Sequence, residues 1–325
     1  MNTFGTIFRI SIFGESHGRW VGITIDGCPA GIPLTEADLQ PDLDRRKAGA
    51  AGTTPRTEAD IPTFATGVYN GHTTGAPLTI IFENANTRSA DYDAVKSTPR
   101  PGHADFVLQK KFNGFNDYRG GGHSSGRLTV ALVAAGVVAK KVLGSDISVK
   151  ALLTEAGGST DIEAAIAKAV AQQDSIGGIV ACTVKGLPVG IGEPFFNSLE
   201  SVISHAIFSI PAIKGIEFGS GFAAAGMTGS THNDAIVDAN GTTATNNAGG
   251  VNGGISNGND LTFRIAVKPA SSTPQPQRTW NNATASVEEF ALKGRHDLCI
   301  ALRVPVVAEA VTAIALADMY LQRRS

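Results

Sequence analysis

The sequence predicts an α+β fold built from packed layers of strands and helices. Strand-like and helix-like segments follow one another without the regular strand–helix–strand order of a doubly wound parallel sheet. No low-complexity linker and no repeat of fixed period divides the chain. A chain of 325 residues that folds as one unit buries about three quarters of its unfolded surface. We therefore predict a single domain over residues 1–325.

Apolar side chains at alternate positions predict the strands. The first strand is read as one continuous segment, with one face formed by Phe4, Thr6, Phe8, Ile10 and Ile12. Further strands are predicted over residues 21–25, 77–82, 179–184 and 261–267. The Gly- and Asn-rich stretch 246–260 is predicted to be a tight-turn loop that leads into the last of these strands.

Capping residues and helical periodicity predict the helices. Thr35 and Asp38 form a capping-box pattern that starts a helix ending near Leu43. The nearly all-apolar segment 124–143 predicts a helix that is buried on most sides. Further helices are predicted over residues 161–173, 198–208 and 304–321, and the last of them carries Glu309 within an apolar sequence.

Charge and cysteine content exclude several classes of protein. The chain has 27 Lys and Arg against 29 Asp and Glu, a formal net charge of −2, so it is not a nucleic-acid binder that works through bulk charge. Its longest uncharged apolar stretch, 128–139, is too short to cross a bilayer, and residues 1–13 lack a signal-peptide pattern. Three widely spaced cysteines show no metal-ligand spacing and indicate a reduced, cytoplasmic protein without a bound metal.

Histidines beside glycines are the first candidates for catalysis. Four of the seven histidines have a glycine neighbour, namely His17, His72, His103 and His123. Three of these lie in the dense polar strings GESHGR (14–19), RPGHAD (100–105) and RGGGHSSGR (119–127), and residues 294–297 (GRHD) form a fourth. Histidine exchanges protons near neutral pH, and glycine neighbours let a substrate approach. A single histidine in a loop is usually a solvated side chain, but several similar strings favour a shared site.

Ser16 raises an alternative, because GESHG matches the G-x-S-x-G pattern of serine hydrolases. That pattern requires a strand before the serine and a helix after it. Residues 19–25 instead alternate like a second strand, so the context argues against a hydrolase.

The string GGHSSGRL (121–128) resembles a P-loop, although Arg127 replaces the lysine and Leu128 replaces the hydroxyl residue that binds magnesium. Glycines and serines at the start of a long helix offer free backbone N–H groups, so an anion could bind there beside Arg127. The alternative is an ordinary serine N-cap. Arg45 and Arg46 add cations, although cations at a helix C-terminus are common. The KPASS string (268–272) offers a cation and two hydroxyls as weaker evidence of phosphate contact.

These strings together resemble the chorismate synthase family. Three family signatures stand in order, over residues 14–29, 121–136 and 295–310. Similar stretches between them extend the resemblance from about residue 5 to residue 321. The resemblance implies a helical layer between antiparallel sheets and a homotetramer. It also implies a lyase that needs reduced FMN and removes phosphate from 5-enolpyruvylshikimate 3-phosphate by 1,4-anti elimination, giving chorismate for aromatic amino-acid biosynthesis in the shikimate pathway.

The resemblance also implies a role for individual residues. His17 would be the general acid near the leaving phosphate, His103 would protonate or stabilise the reduced flavin, and Asp297 would help the flavin N5 accept the C6 hydrogen. The substrate's phosphate and two carboxylates would be held by Arg45, Arg46 and Arg127. The implied FMN contacts are His123, Ser124, Ser125, Pro211, Ala212, Gly253, Lys268, Pro269, Ala270, Ser271, Ser272 and Arg295.

Departures from the family pattern leave a second hypothesis open. The stretch 50–53 lacks a basic residue that family members usually carry, and Pro211 replaces a common asparagine. The alternative is therefore a flavin- or phosphate-binding relative with lost or reduced turnover. The source of reducing electrons is also open, since some family members use NADPH and others rely on a separate flavin reductase.

Overall fold

Two antiparallel sheets enclose a layer of helices in the computed structural model, which describes residues 1–54, 58–85, 92, 95–291 and 297–324. The first sheet has the strand order β1-β2-β3-β7-β4. Its strands are β1 (Thr3–Phe4), β2 (Arg9–Gly14), β3 (Trp20–Asp26), β4 (Thr63–Thr66) and β7 (Leu78–Glu83).

The second sheet has the order β10-β13-β9-β8, again with every neighbouring pair antiparallel. Its strands are β8 (Ser148–Ala156), β9 (Gly178–Lys185), β10 (Ile213–Phe218) and β13 (Leu261–Val267). In the part of the chain that the structure describes, three short hairpins lie outside these sheets. They are formed by β5 (Val68–Tyr69) with β6 (His72–Thr73), β11 (Val251–Asn252) with β12 (Ile255–Ser256), and β14 (Gln277–Asn281) with β15 (Ser286–Phe290).

The helices are α1 (Glu36–Arg46), α2 (Asp105–Lys111), α3 (Thr129–Leu143), α4 (Ile162–Gln172), α5 (Leu199–Ile207), α6 (Gly229–His232) and α7 (Val304–Arg324). Helix α3 packs on β2, β3 and β7 of the first sheet, and α7 packs on β8 and β9 of the second. The two helices also pack on each other, so closely that a Cβ atom on Gly136 would lie 2.5 Å from the Cα of Ala310. The predicted layered α+β sandwich with its central helical layer is confirmed.

Helix α7 is long and apolar enough to cross a membrane by length and composition, but 78% of its most apolar window is buried inside the protein. It is a core helix with two buried carboxylates. Glu309 accepts hydrogen bonds from Arg45, from Lys140 and from the backbone N–H of Ala151. A buried carboxylate needs partners for both oxygens. Glu309 finds them on α1, α3 and β8, so its hydrogen bonds join these three elements to α7.

The predicted continuous N-terminal strand is wrong, because the segment folds back as the β1–β2 hairpin with Phe4 opposite Ile10. Gly5 adopts a φ of +97° at the start of the connection. The carboxylate of Asp318 on α7 then accepts the backbone N–H groups of residues 6, 7 and 8. Asp318 lies more than 300 residues away along the chain, so alternation of side chains could not reveal this turn.

Most other local predictions are confirmed within one or two residues. The Thr35–Asp38 capping box is present, and Asp161 and Ser198 cap α4 and α5. The helix expected from residue 124 begins later. Ser125 caps a short 3-10 turn over Gly126–Leu128, and the α-helix starts at Thr129.

Candidate active site

A cavity of about 840 Å³ lies beside the N-terminal ends of α3 and α7. Among the described residues, six cationic side chains line it: Arg46, Lys47, Arg100, Arg127, Lys268 and Arg303. Only three acidic ones do so, namely Glu58, Asp60 and Asp297. Apolar residues of the helical layer form another wall, with Leu132, Val304 and Val307 among them. A chain of net charge −2 therefore concentrates positive charge in one cavity, as an anionic ligand requires.

Arg46 and Arg127 share one buried carboxylate. Asp60 pairs with Arg46 Nη2 at 2.7 Å through one oxygen and with Arg127 Nη1 through the other, and all three side chains are almost fully buried. Burial disfavours the Asp60 charge, but the two guanidinium charges and their hydrogen bonds outweigh it and hold the pKa of Asp60 below its usual value. Burial also lowers the pKa of Arg46 to about 10, which leaves it charged at neutral pH. Asp60 thus fixes both cations at the cavity wall.

Asn84 connects Arg127 to the loop that carries His17. Its Oδ1 accepts from Arg127 Nε at 2.8 Å, and its Nδ2 donates to the carbonyls of Glu15 and Gly18 at 3.1 and 2.8 Å. Both ends of the four-residue 15–18 loop are therefore held by one amide, which also orients a cavity cation.

His17 lies directly behind the glycine strip 120–122, in which all three residues have positive φ. A Cβ atom on Gly120 would come within 2.5 Å of the His17 ring, so only glycine fits between the ring and the cavity lining. The ring packs edge-on against Tyr92, with ring centroids 5.1 Å apart. His123, at the end of the strip, lines the cavity, and its Nδ1 is 2.7 Å from the Gly14 carbonyl.

His103 lines the cavity from the loop before α2. Its Nδ1 is 2.6 Å from Asp105 Oδ1, and Asp105 also pairs with Arg100 Nε at 2.7 Å. Arg100 Nη1 donates to Ser272 Oγ at 3.0 Å, and Ser271 Oγ donates to the Gly102 carbonyl at 2.7 Å. The 100–105 loop and the KPASS string are thereby held against each other at one end of the cavity.

Pro211 and Ala212 also line the cavity, just before β10. Ala212 has a φ of +73°, an unfavourable conformation for a residue with a Cβ atom. The backbone N–H of Lys268 donates to its carbonyl at 2.9 Å and holds the two segments together. Lys268 Nζ donates to Ser271 Oγ at 2.6 Å.

Asp297 enters the cavity at the start of the segment that leads into α7. Its Oδ1 accepts the backbone N–H of Thr54 at 2.8 Å, and its Oδ2 lies 3.2 Å from Arg303 Nη1. Arg303 Nε donates in turn to the Arg46 carbonyl at 2.9 Å. The carboxylate is therefore oriented from both sides and linked to the end of α1.

Most of the residues expected at the site share this cavity. The lining includes His103, Asp297, Arg46, Arg127, His123, Ser124, Ser125, Pro211, Ala212, Lys268, Ala270, Ser271 and Ser272. His17 stands immediately behind it. Pro269 and Gly253 do not line it, and Gly253 lies in the turn between β11 and β12. Arg295 falls outside the described residues.

Arg45 was predicted to bind the substrate, but in the structure its side chain points away from the cavity. It makes two hydrogen bonds to Glu309, at 2.7 and 2.8 Å, and one to Asp42, and it does not line the cavity. Successive residues of a helix point about 100° apart, so Arg45 and Arg46 cannot face the same side of α1. This placement does not support a direct substrate contact by Arg45.

The sequence did not identify the side chains that hold the predicted site residues in place by hydrogen bonds and ion pairs. They are Asp60, Asn84, Arg100, Asp105 and Arg303. Arg100 and Asp105 belong to the string RPGHAD (100–105), and Arg303 belongs to the family signature over residues 295–310. Their position in these strings was the one sequence feature that could have marked them as site residues. Asp60 and Asn84 had no comparable local pattern, because their partners are distant in sequence.

The residues after Ser16 form β3 rather than a helix, and Ser16 itself is 1% exposed. A nucleophile elbow needs a helix at that point and an accessible hydroxyl. The structure therefore argues against the hydrolase alternative.

A layered α+β fold with a large, cationic, partly apolar cavity is the architecture of an enzyme that acts on small molecules. Comparison with known proteins identifies the family. The family model for chorismate synthase matches residues 8–321. The chain is 67% identical over 326 residues to the chorismate synthase of Chitinophaga pinensis, covering 100% of this chain and 98% of that protein.

More distant relatives agree. Identity to the chorismate synthase of Methanosarcina mazei is 44% over 352 residues, covering 99% of this chain and 96% of the relative. A crystal structure of chorismate synthase superposes with a TM-score of 0.76 at 25% identity, covering 98% of this chain and 93% of that one. The chain belongs to the chorismate synthase family. It is an enzyme, a lyase of the shikimate pathway that releases phosphate from 5-enolpyruvylshikimate 3-phosphate and forms chorismate.

Proposed function

We propose that the cavity binds reduced FMN and the substrate together, and that this chain is an active, FMN-dependent lyase. The cavity suits such a pair in size and character, because it combines an apolar wall with clustered cations and hydroxyls. A Cβ atom on Gly126 would meet nothing within 4 Å, so the backbone beside Ser124 and Ser125 faces open space. The residues that would hold the cofactor are His123, Ser124, Ser125, Ala212, Lys268, Ser271 and Ser272.

The cations at the cavity wall bind the phosphate and the carboxylates of the substrate. Arg46, Arg127 and Arg303 lie at one wall and are held by the fixed carboxylates of Asp60 and Asp297. Cations held in place before the reaction stabilise charge that grows on a leaving phosphate without further reorganisation. In this proposal Arg303 takes the place first expected for Arg45.

Reduced FMN, when bound, supplies electron density that assists loss of the phosphate. The chain's own groups handle the protons. His17 would be the source of the proton for the departing phosphate oxygen, and this proton must pass around the Gly120 backbone that separates the ring from the cavity. His103 would protonate or stabilise the bound cofactor. Asp297 holds a carboxylate oxygen in the cavity, where it would help the N5 atom of bound FMN accept the hydrogen that leaves C6.

One observation carries the proposal: His103, Asp297, Arg46 and Arg127 come from four distant segments and line one cavity, with His17 next to it. The test is to replace His17 or Asp297 by alanine. Each variant should turn over about 10²- to 10⁴-fold more slowly, the usual effect of losing a positioned proton carrier, while FMN still binds. A near-normal rate in either variant refutes the role assigned to that residue.

The alternative, a relative with lost or reduced turnover, is motivated by the absence of a basic residue in the stretch 50–53. Mixing the protein anaerobically with dithionite-reduced FMN and 5-enolpyruvylshikimate 3-phosphate separates the two. Chorismate absorbance supports the active lyase, whereas tight FMN binding without product supports the alternative.

We further infer that the enzyme works as a cytoplasmic homotetramer. All three cysteines are buried and free, as in a reducing compartment, and the exposed side chains of Phe195, Phe196 and Phe222 suit an assembly surface. Light scattering on the eluting protein tests the tetramer. Adding NADPH and FMN anaerobically, without dithionite, tests whether the chain reduces its own flavin or needs a separate reductase.

A further inference from the structure

Asp105 is the first residue of α2, and its side chain is buried behind His103 at the cavity wall. It is one of the buried carboxylates next to the cavity that the proposed chemistry does not use. The His103 side chain remains 22% exposed, whereas the Asp105 side chain is 5% exposed.

Four donors converge on this carboxylate. Oδ2 accepts the backbone N–H of Arg100 at 3.1 Å and its Nε at 2.7 Å. Oδ1 lies 2.7 Å from Arg100 Nη2 and 2.6 Å from His103 Nδ1. Burial disfavours the charged form of Asp105. The hydrogen bonds from Arg100 and His103 outweigh this effect and hold the pKa of Asp105 below its usual value.

These contacts decide which nitrogen of His103 carries its proton. An ionised carboxylate only accepts hydrogen bonds, so Nδ1 must be the donor at 2.6 Å. Arg100 Nη2 lies 3.0 Å from the same nitrogen, but it is a donor as well and cannot replace the carboxylate. In the neutral ring, Nε2 then has a free lone pair.

The opposite edge of the ring faces the glycine strip 120–122. A Cβ atom on Gly121 would lie 3.3 Å from His103 Cε1 and 3.5 Å from Nε2. Arg100 is itself hydrogen-bonded to Ser272 of the KPASS string, so the carboxylate that holds the ring is fixed in turn. Among the described residues, the charged groups within hydrogen-bond distance of the imidazole are Arg100 and Asp105.

We propose that Asp105 is a positioning residue that holds His103 as the Nδ1–H tautomer and leaves Nε2 unprotonated on the ring edge that faces Gly121. The chemical use of Nε2 rests on the function proposed for His103, whereas the tautomer does not. The two can therefore be tested separately.

The tautomer is read from the ring nitrogen shifts of enzyme labelled with ¹⁵N-histidine, recorded well above the ordinary imidazole pKa of ~6.5. His103→Gln identifies the His103 signals by their loss. The wild type should show a protonated Nδ1 and an unprotonated Nε2. A protonated Nε2 in the wild type overturns the inference, whatever any variant does.

Asp105→Asn keeps the shape of the side chain and removes its charge. The amide oxygen should stay on the two Oδ2 donors of Arg100, which turns the NH₂ group toward His103 Nδ1. His103 should then become mainly the Nε2–H tautomer, and turnover should fall by about 10²- to 10⁴-fold. An unchanged tautomer overturns the proposal. A changed tautomer with normal turnover supports the positioning role and overturns the catalytic role of His103.

Two further variants separate positioning from folding. Asp105→Glu retains the carboxylate and should retain the Nδ1–H tautomer; conversion to the Nε2–H form contradicts the proposal. Asp234→Asn is the matched control, because Asp234 accepts three hydrogen bonds, one fewer than Asp105, and lies in a loop that does not line the cavity. Asp234→Asn should leave the His103 signals unchanged. If this variant also lost the Nδ1–H signal, the loss would reflect a general destabilisation of the fold and would contradict the specific role of Asp105.

Discussion

Replacing Gly120 by alanine tests whether the position of the His17 ring matters for turnover. The added Cβ would lie 2.5 Å from His17 Cε1, whereas ordinary contact begins at 3.4 Å. The ring must therefore move by about 0.9 Å, the difference between these distances. A displacement of about 1 Å at a reacting group can cost on the order of 10²-fold in rate, so we expect kcat to fall by that factor.

Gly114→Ala is the matched control. Gly114 has a φ of +80°, close to the +58° of Gly120, but a Cβ there would meet nothing within 4 Å. Both variants carry backbone strain of about 1–2 kcal/mol, and only Gly120→Ala displaces His17. Chorismate formation is followed by absorbance with reduced FMN in excess, and FMN binding is measured in parallel. Equal rates in the two variants would refute the reasoning, because the strain alone would then explain any loss.

Two further predictions concern the buried carboxylates. Asp60→Asn leaves the buried cations Arg46 and Arg127 without their shared anionic partner. It should therefore lower the free energy of unfolding by about 3–5 kcal/mol, which is about 4–7 °C in Tm. Asp26→Asn, which breaks an exposed ion pair, is the control, and an equal loss of stability in both variants would contradict the role of Asp60. The pKa of Glu309 lies below its ordinary value of 4.5, because hydrogen bonds from Arg45 and a backbone N–H outweigh the opposing effect of burial. Its stabilisation is therefore complete at neutral pH and is lost as the pH falls below 4.5 through the folded-state pKa. The Tm difference between wild type and Glu309→Gln should be largest near neutral pH and should shrink in acid; a constant difference would count against it.

The cation cluster shows how far sequence reasoning reaches into the site. A chain of net charge −2 that binds the anionic substrate implied by the family resemblance must gather its cations in one pocket, and the cavity lining agrees with this. The choice between Arg45 and Arg46 did not follow, because neighbouring residues on a helix face different sides. Only the packing of α1 against α3 and α7 turns Arg45 toward Glu309 and leaves Arg46 at the cavity.

The carboxylates and the amide that orient the site illustrate the opposite case. Asp60 reaches Arg127 across 67 residues, and Asn84 reaches it across 43. No spacing rule connects such positions, so each looked like an ordinary loop residue in the sequence. Asp105 is closer to His103, yet its role depends on burial and on Arg100, which the string RPGHAD does not reveal by itself.

The sequence by itself determined the caps, the strand alternation, the apolar helices and, through strings in a fixed order, the family. These features arise from interactions between residues a few positions apart, so the local pattern contains the information. Only the tertiary structure decided that the N-terminus folds back onto Asp318, that Arg46 and Arg127 share Asp60, and that a glycine separates His17 from the cavity. Those outcomes depend on which distant segments meet when the two sheets close over the helices, and hydrogen-bond partners in the interior are fixed only at that stage.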